Sequence, residues 1–237
     1  MKKSCLPLIA ATACAFGSMT FATQNVEAAT VYTPTGNSTT FDFFNIYPIN
    51  QTSESSGDSY VGGFKLKVEQ YSSSKVLLRF INNSTDPSMF VGSVYIDDNT
   101  SLLTLLNPTA DQVFYNTGTN VQFANVSTGG TLPQGNKVGF SSDFTTTRLT
   151  GSGNAKAIQS GESLGILFGG SYSSVVSAFS NNTIAAGLHL QGIGTQGYSD
   201  AFSTSRPVPL PPLALGLLAA AGFGGLRLSR RTQKVAK

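Results

Sequence analysis

The sequence predicts an all-β fold: an antiparallel β-sandwich, jelly-roll-like, with one short helix. Three observations predict it. Apolar residues through the middle of the chain alternate with period two, as half-buried strands require. Strand-like runs recur at short intervals, separated by Gly, Asn, Pro and Ser, the spacing of sandwiches and jelly rolls. Only 11% of the 237 residues are charged, against 25 glycines, a composition poor for helical bundles and suited to turn-rich sheets.

The alternation is clearest at Phe64-Lys65-Leu66-Lys67-Val68-Glu69, which places Phe64, Leu66 and Val68 on one face and charges on the other. Val76, Leu78 and Phe80 repeat it, and the polar stretch from Gln70 to Lys75 reads as the turn of a hairpin. Further strands are expected at Val91 to Ile96, Val113 to Tyr115, Val121 to Val126, Val138 to Phe140, Leu164 to Phe168 and Ile184 to Leu190. One segment departs from the pattern. Tyr172, Val175, Val176 and Phe179 fall at helical spacing and predict a short helix packed against the sheets. The Ser/Thr/Asn-rich stretch from Asn50 to Ser59 reads as a mobile loop. No charged or proline-rich linker divides the body, so residues 29–205 form one expected domain.

The ends differ from this body. Residues 1–28 read as a secretory signal peptide: Lys2 and Lys3, an apolar stretch from Leu6 to about Phe21, then small residues. Val26-Glu27-Ala28 suits cleavage between Ala28 and Ala29, and Thr20-Phe21-Ala22 offers a second cut. Ala11-Thr12-Ala13-Cys14 is an incomplete lipoprotein box, without leucine three residues before the cysteine. Cys5 and Cys14 both lie in this segment, so a mature chain would carry no thiol, disulfide or Cys-ligated metal. At the other end a proline-rich stretch precedes Leu213 to Leu226, which carry no charge, and Arg227, Arg230 and Arg231 follow. A membrane helix is expected at about 209–228. The fourteen central residues would rise only about 21 Å, so the span must recruit its neighbours or thin the bilayer. The basic cluster acts as a cytoplasmic stop, which leaves the body outside, as the signal peptide also requires. A plain tail anchor is the simplest reading of this end.

The net charge of +3 comes from these ends. Without Lys2, Lys3, Glu27, Arg227, Arg230, Arg231, Lys234 and Lys237, 8 Lys+Arg face 11 Asp+Glu, a body of about −3. A nucleic-acid partner with a basic footprint is not expected.

A proline-containing motif, a short Gly- and Leu-rich helix and a terminal arginine cluster together resemble the PEP-CTERM class of sorting tails. Val208-Pro209-Leu210-Pro211-Pro212 resembles its VPLPA-type variant, with Pro212 standing where that variant has alanine. The resemblance implies that an exosortase, a membrane-embedded cysteine protease, recognises the motif, removes the tail and passes the body to the cell surface or to secreted polysaccharide. A second resemblance covers about Phe41 to Phe202. Val94 to Leu103, Leu132 to Asn136, Ser160 to Ile166, Gly187 to Gly194 and Ser199 to Phe202 are similar to a recurrent ectodomain of PEP-CTERM proteins. That ectodomain has no established activity, so the likeness implies neither a reaction nor catalytic residues.

Chemistry in the body is sparse. Gly161-Glu162-Ser163-Leu164-Gly165 matches the nucleophile-elbow pattern, but a strand is expected to follow it, and no acid lies between Ser163 and the only histidine, His189. A turn leading into a core strand is the better reading. His189, flanked by Leu188 and Leu190, points away from both and is expected to be structural. Asp97-Asp98-Asn99 offers weak calcium ligands without EF-hand spacing, and the same residues are ordinary turn formers. No cofactor is expected. With no Trp, stacking on sugars would fall to tyrosines such as Tyr47 or Tyr60.

The expected role is therefore that of a non-enzymatic surface or extracellular-matrix component. One alternative is a secreted module that binds or processes polysaccharide, with Asp97, Asp98, Asp143 or Asp200 as converging carboxylates. The other is an ectodomain that stays anchored in the membrane.

Overall fold

The computed structural model describes residues 36–46, 57–106, 116–118, 120–150 and 153–205. The expected signal segment, the tail with its motif and helix, Tyr47 and the expected strand Val113 to Tyr115 lie outside the described residues. No helix among the described residues is long and apolar enough to cross a membrane.

The strands in chain order are β1 (Ser38–Asp42), β2 (Phe44–Asn45), β3 (Phe64–Gln70), β4 (Lys75–Asn82), β5 (Phe90–Asp98), β6 (Thr104–Leu105), β7 (Ser127–Thr128), β8 (Phe144–Thr147), β9 (Glu162–Gly169), β10 (Ile184–Ile193) and β11 (Tyr198–Ser203). One helix, α1 (Tyr172–Ser180), stands between β9 and β10. They form two antiparallel sheets, one ordered β1-β3-β4-β9-β6 and the other β2-β11-β10-β5-β8-β7. The fold is thus mostly β, consistent with a β-sandwich.

The period-two residues explain the packing. Phe64, Leu66 and Val68 of β3, Val76, Leu78 and Phe80 of β4, and Leu164, Ile166 and Phe168 of β9 enter one core. The second sheet adds Val94 and Ile96 of β5, Ile184, Ala186, Leu188 and Leu190 of β10, and Phe202 of β11. Phe64 and Phe202 meet across the two sheets with ring centroids 5.6 Å apart. Val91 and Val94 also both face this core, although three residues apart. The pairing accounts for it: Leu190 lies opposite Val91 and His189 opposite Ser93, so Gly92 is an extra residue in β5, a β-bulge that resets the alternation. Helix α1 buries Val175, Ala178 and Phe179, with Phe41 of β1 against Phe179 at 5.2 Å. Its helical spacing is the one the sequence predicts.

Three expectations need correction. Val121 to Val126 is not a strand: Val121, Phe123 and Val126 are buried, but the segment makes only an isolated bridge from Phe123 to Arg148. Val138 to Phe140 is not a strand either. Val138 closes a 3-10 turn at Gly135–Val138, and Gly139 turns the chain with a φ of 71°, which breaks extension. Asp58 and Ser59, read as part of a mobile loop, open a 3-10 helix at Asp58–Gly63.

The segment between β7 and β8, residues 129–143, folds back as a strap over the outer face of the second sheet. Leu132, Val138 and Phe140 pack there on Tyr95, Ala201 and Ile46. Leu132 occupies the space above Gly187, where an added Cβ would lie 2.6 Å from its Cδ2 atom. Gly187→Val should therefore destabilise the fold by about 1–3 kcal/mol, and adding Leu132→Ala should cost less than the sum of the two single changes. Additive losses in urea denaturation would mean that the two positions do not touch.

Candidate functional site

The four carboxylates that sequence reading brings together do not form one site. Asp200 sits opposite Leu190 and Asp98 opposite Ile184, so six residues of β10, roughly 20 Å, separate them along the sheet. Asp200 is buried and accepts hydrogen bonds from the backbone N–H of Gly57 at 2.9 Å and of Ala201 at 2.7 Å. It ties the start of the 3-10 helix to β11, a role hidden from the sequence because Gly57 is so distant in the chain.

The other three gather at the end of β5. Asp98 faces the core side and closes the following turn: its Oδ1 accepts from the N–H and hydroxyl of Thr100, and its Oδ2 from the N–H of Leu103 at 2.7 Å. Asp143 is exposed, and its Oδ2 accepts from the N–H of Asp98 at 2.6 Å. Asp97 faces the strap, 3% exposed; its Oδ2 accepts from the N–H of Ser141 at 2.8 Å, while its Oδ1 is buried with no hydrogen-bond partner. Burial pushes the Asp97 carboxyl above the usual aspartate range, and the charges of Asp143 and Asp98 add to this against the Ser141 hydrogen bond. Asp97 and Asp98 point to opposite faces of β5, so the proposed calcium pair does not converge. Among the described residues no three His, Cys, Asp or Glu side chains come together where they could hold a metal ion.

Ser163 and His189 are separated by both sheets. Ser163 lies on the outer face of the first sheet, since its neighbour Leu164 is in the core, and His189 lies on the outer face of the second for the same reason with Leu188 and Leu190. Gly161, with a φ of 82°, turns the chain into β9, so the serine sits inside a strand and not at the strand-to-helix turn of an elbow. The Ser163 hydroxyl contacts Arg79 at 3.3 Å and Thr117 at 2.8 Å. Arg79 in turn binds Glu69 at 3.0 Å, and Lys67 closes on the other Glu69 oxygen at 2.8 Å. This polar ladder crosses β3, β4 and β9. Burial holds the His189 imidazole below its usual range, so it is neutral at pH 7.

Sequence reading missed a shallow, open depression of about 450 Å³ beside α1, lined by Leu102, Ser173, Ser174, Ser177, Ala178, Asn181 and Thr183. Its lining is uncharged, with hydroxyl and amide groups and one exposed leucine. The signal was in the sequence, since Ser173, Ser174 and Ser177 occupy the helix positions that the apolar spacing leaves to solvent. Tyr60, a candidate for stacking on sugars, is instead half-buried against the main core.

The described residues define a class, a two-sheet antiparallel β protein. No protein-family model, no curated protein and no solved structure matches the chain.

Proposed function

We propose that the chain is an exported protein of the cell surface or extracellular matrix, delivered by an exosortase-type C-terminal signal and acting as a non-enzymatic structural or binding component. The observation that carries this reading is the pairing of Lys2, Lys3 and the apolar run to Phe21 with the proline motif Val208 to Pro212, the uncharged stretch to Leu226 and Arg227, Arg230 and Arg231. Both ends are read as leaving the body outside. In this reading the stop cluster holds the tail in the bilayer while the proline-rich motif, resistant to helix formation, stays accessible to a membrane protease at the outer interface. The commitment of Asp98, Asp200 and Ser163 to internal contacts supports a body without a reaction of its own.

The test is mass spectrometry of C-terminal peptides from membrane, surface and medium fractions of the native producer. Termini near Val208 to Pro212 in surface or medium fractions are expected. A tail intact to Lys237, found only in membranes of cells that carry an exosortase, would replace this reading with a permanently anchored ectodomain.

The depression beside α1 favours the binding form of the role. Neutral hydroxyl and amide groups beside an apolar side chain suit an uncharged polysaccharide strand. Ser177→Tyr, which fills the depression, should weaken retardation in gels containing the producer's exopolysaccharide at least threefold, on the order of 0.7 kcal/mol. Equal retardation of both proteins would move any polymer contact to another surface.

The topology also supports a jelly-roll-like arrangement. β4 and β9 are neighbours in the first sheet and β5 and β10 in the second, so the connections β4 to β5 and β9 to β10 cross between sheets together, as a folded-over antiparallel ribbon does.

A further inference from the structure

We infer that Asp97 is an acid-side latch for the strap of residues 129–143: with its carboxyl neutral the strap is held down on the second sheet, and with the carboxylate charged the strap is loosened and the apolar face beneath it becomes accessible. Three hydrogen bonds fasten the end of the strap to β5: from the Ser141 N–H to Asp97 Oδ2 and from the Asp143 N–H to the Ile96 carbonyl, both at 2.8 Å, and from the Asp98 N–H to Asp143 Oδ2 at 2.6 Å. The first of these ends on a carboxyl group that is 3% exposed and whose second oxygen meets no donor. A buried, half-satisfied carboxylate is costly, whereas the neutral acid still accepts from Ser141 without carrying charge into a dry site.

The charged groups around Asp97 do not relieve it. Asp98 lies next to it on β5, and Asp143 arrives with the strap and has the same sign. The charges that act on Asp97 are those of Asp143 and Asp98, and Ala185, opposite Asp97 on β10, is uncharged. Closing the strap thus brings Asp143 toward Asp97 and strips water from Asp97, while Asp143 stays exposed. The strap is also the kind of long loop between paired strands that carries functional movement. Beneath it lie Tyr95, Ala201 and Ile46, with Leu132 as the strap's own anchor.

The sign follows from linkage. The Asp97 carboxyl has a higher pKa with the strap closed than when it is solvated. Its contribution to closure is therefore full below the ordinary aspartate value and is lost as pH rises through the closed-state value. Each pH unit between the two values changes the closed-to-open ratio tenfold.

Hydrogen exchange of the full chain, read by mass spectrometry on peptides covering 132–143 and corrected for the intrinsic rate at each pH, tests this between pH 4 and 8. Wild-type protection of the strap should fall as pH rises, while the peptide covering β9 keeps its protection. Asp97→Asn retains an acceptor for Ser141 without a charge and should hold the strap protected at every pH. Asp143→Asn removes the neighbouring like charge, lowers the closed-state value of Asp97 and should make the loss of strap protection end at lower pH and with smaller amplitude. A pH profile in Asp97→Asn identical to wild type, or strap protection that never changes with pH in the wild type, would overturn the inference. Should Asp97→Asn not fold, the wild-type profile decides, because strap protection that does not fall as pH rises through the raised Asp97 value leaves the carboxylate no role in closure.

Discussion

Glu69→Ala should destabilise the protein by about 3–5 kcal/mol, and Glu69→Leu with Arg79→Met should recover most of that loss. Glu69 is 1% exposed on the outer face of the first sheet and binds both Arg79 and Lys67. Removing the carboxylate alone leaves the Arg79 guanidinium in a buried site with its main counter-charge gone. Replacing both partners by apolar side chains removes the cost of desolvation together with the attraction, and Leu77 and Leu167 already form an apolar cluster on that face. Lys67 is about one-third exposed and can be solvated once its partner is lost, so it adds little to the effect. Thermal unfolding would show the single change as a drop on the order of 10 °C. A double variant as unstable as Glu69→Ala would mean that the ladder contributes through specific geometry that apolar packing cannot replace.

Phe202→Ala should cost about 3–5 kcal/mol, through lost burial and the cavity left between the sheets. Phe202 has no exposed surface and its ring meets that of Phe64 from the opposite sheet. Because the two rings touch, Phe64→Ala in the Phe202→Ala background should cost less than it does alone, by about 0.5–1.5 kcal/mol, in urea denaturation. Strict additivity would place the two rings in separate layers of the core.

The strands most legible in advance are those with long runs of period-two apolar residues. In β3, β4 and β9, and in β10 from Ile184 to Leu190, each core residue is two positions from the next, so pattern and burial coincide. β5 was legible from its apolar content although Gly92 breaks its alternation. β11 was missed because Tyr198-Ser199-Asp200 opens with polar side chains, one of them buried for a partner that only the fold supplies. β8, Phe144 to Thr147, carries one apolar residue and is recognisable only once β5 and β7 flank it. Val121 to Val126 failed in the opposite direction: alternating burial arose there without a ladder. The strap over Gly187 was beyond reach, since it depends on which face of β10 a small residue leaves open. For the candidate sites, the residue types were legible and their grouping was not. Asp97, Asp98 and Asp143 do gather, yet the alternation of β5 itself sends the first two to opposite faces, and Asp200 belongs to the far end of the sheet.

The pairing of β4 with β9 and of β5 with β10 has a kinetic consequence. Leu78 is matched with Ile166, and Val94 with Leu188, so the central strands of both sheets await partners that come late in the chain. As the polypeptide is made or threaded from its N-terminus, only local hairpins such as β3 and β4 can form early, and these are marginal alone. Such long-range pairing makes folding slow and leaves unpaired strand edges exposed meanwhile. A nascent chain that ends before β9 lacks the partner of β4 in the first sheet and, with β10 still to come, the partner of β5 in the second, so neither sheet can close until the last strands arrive.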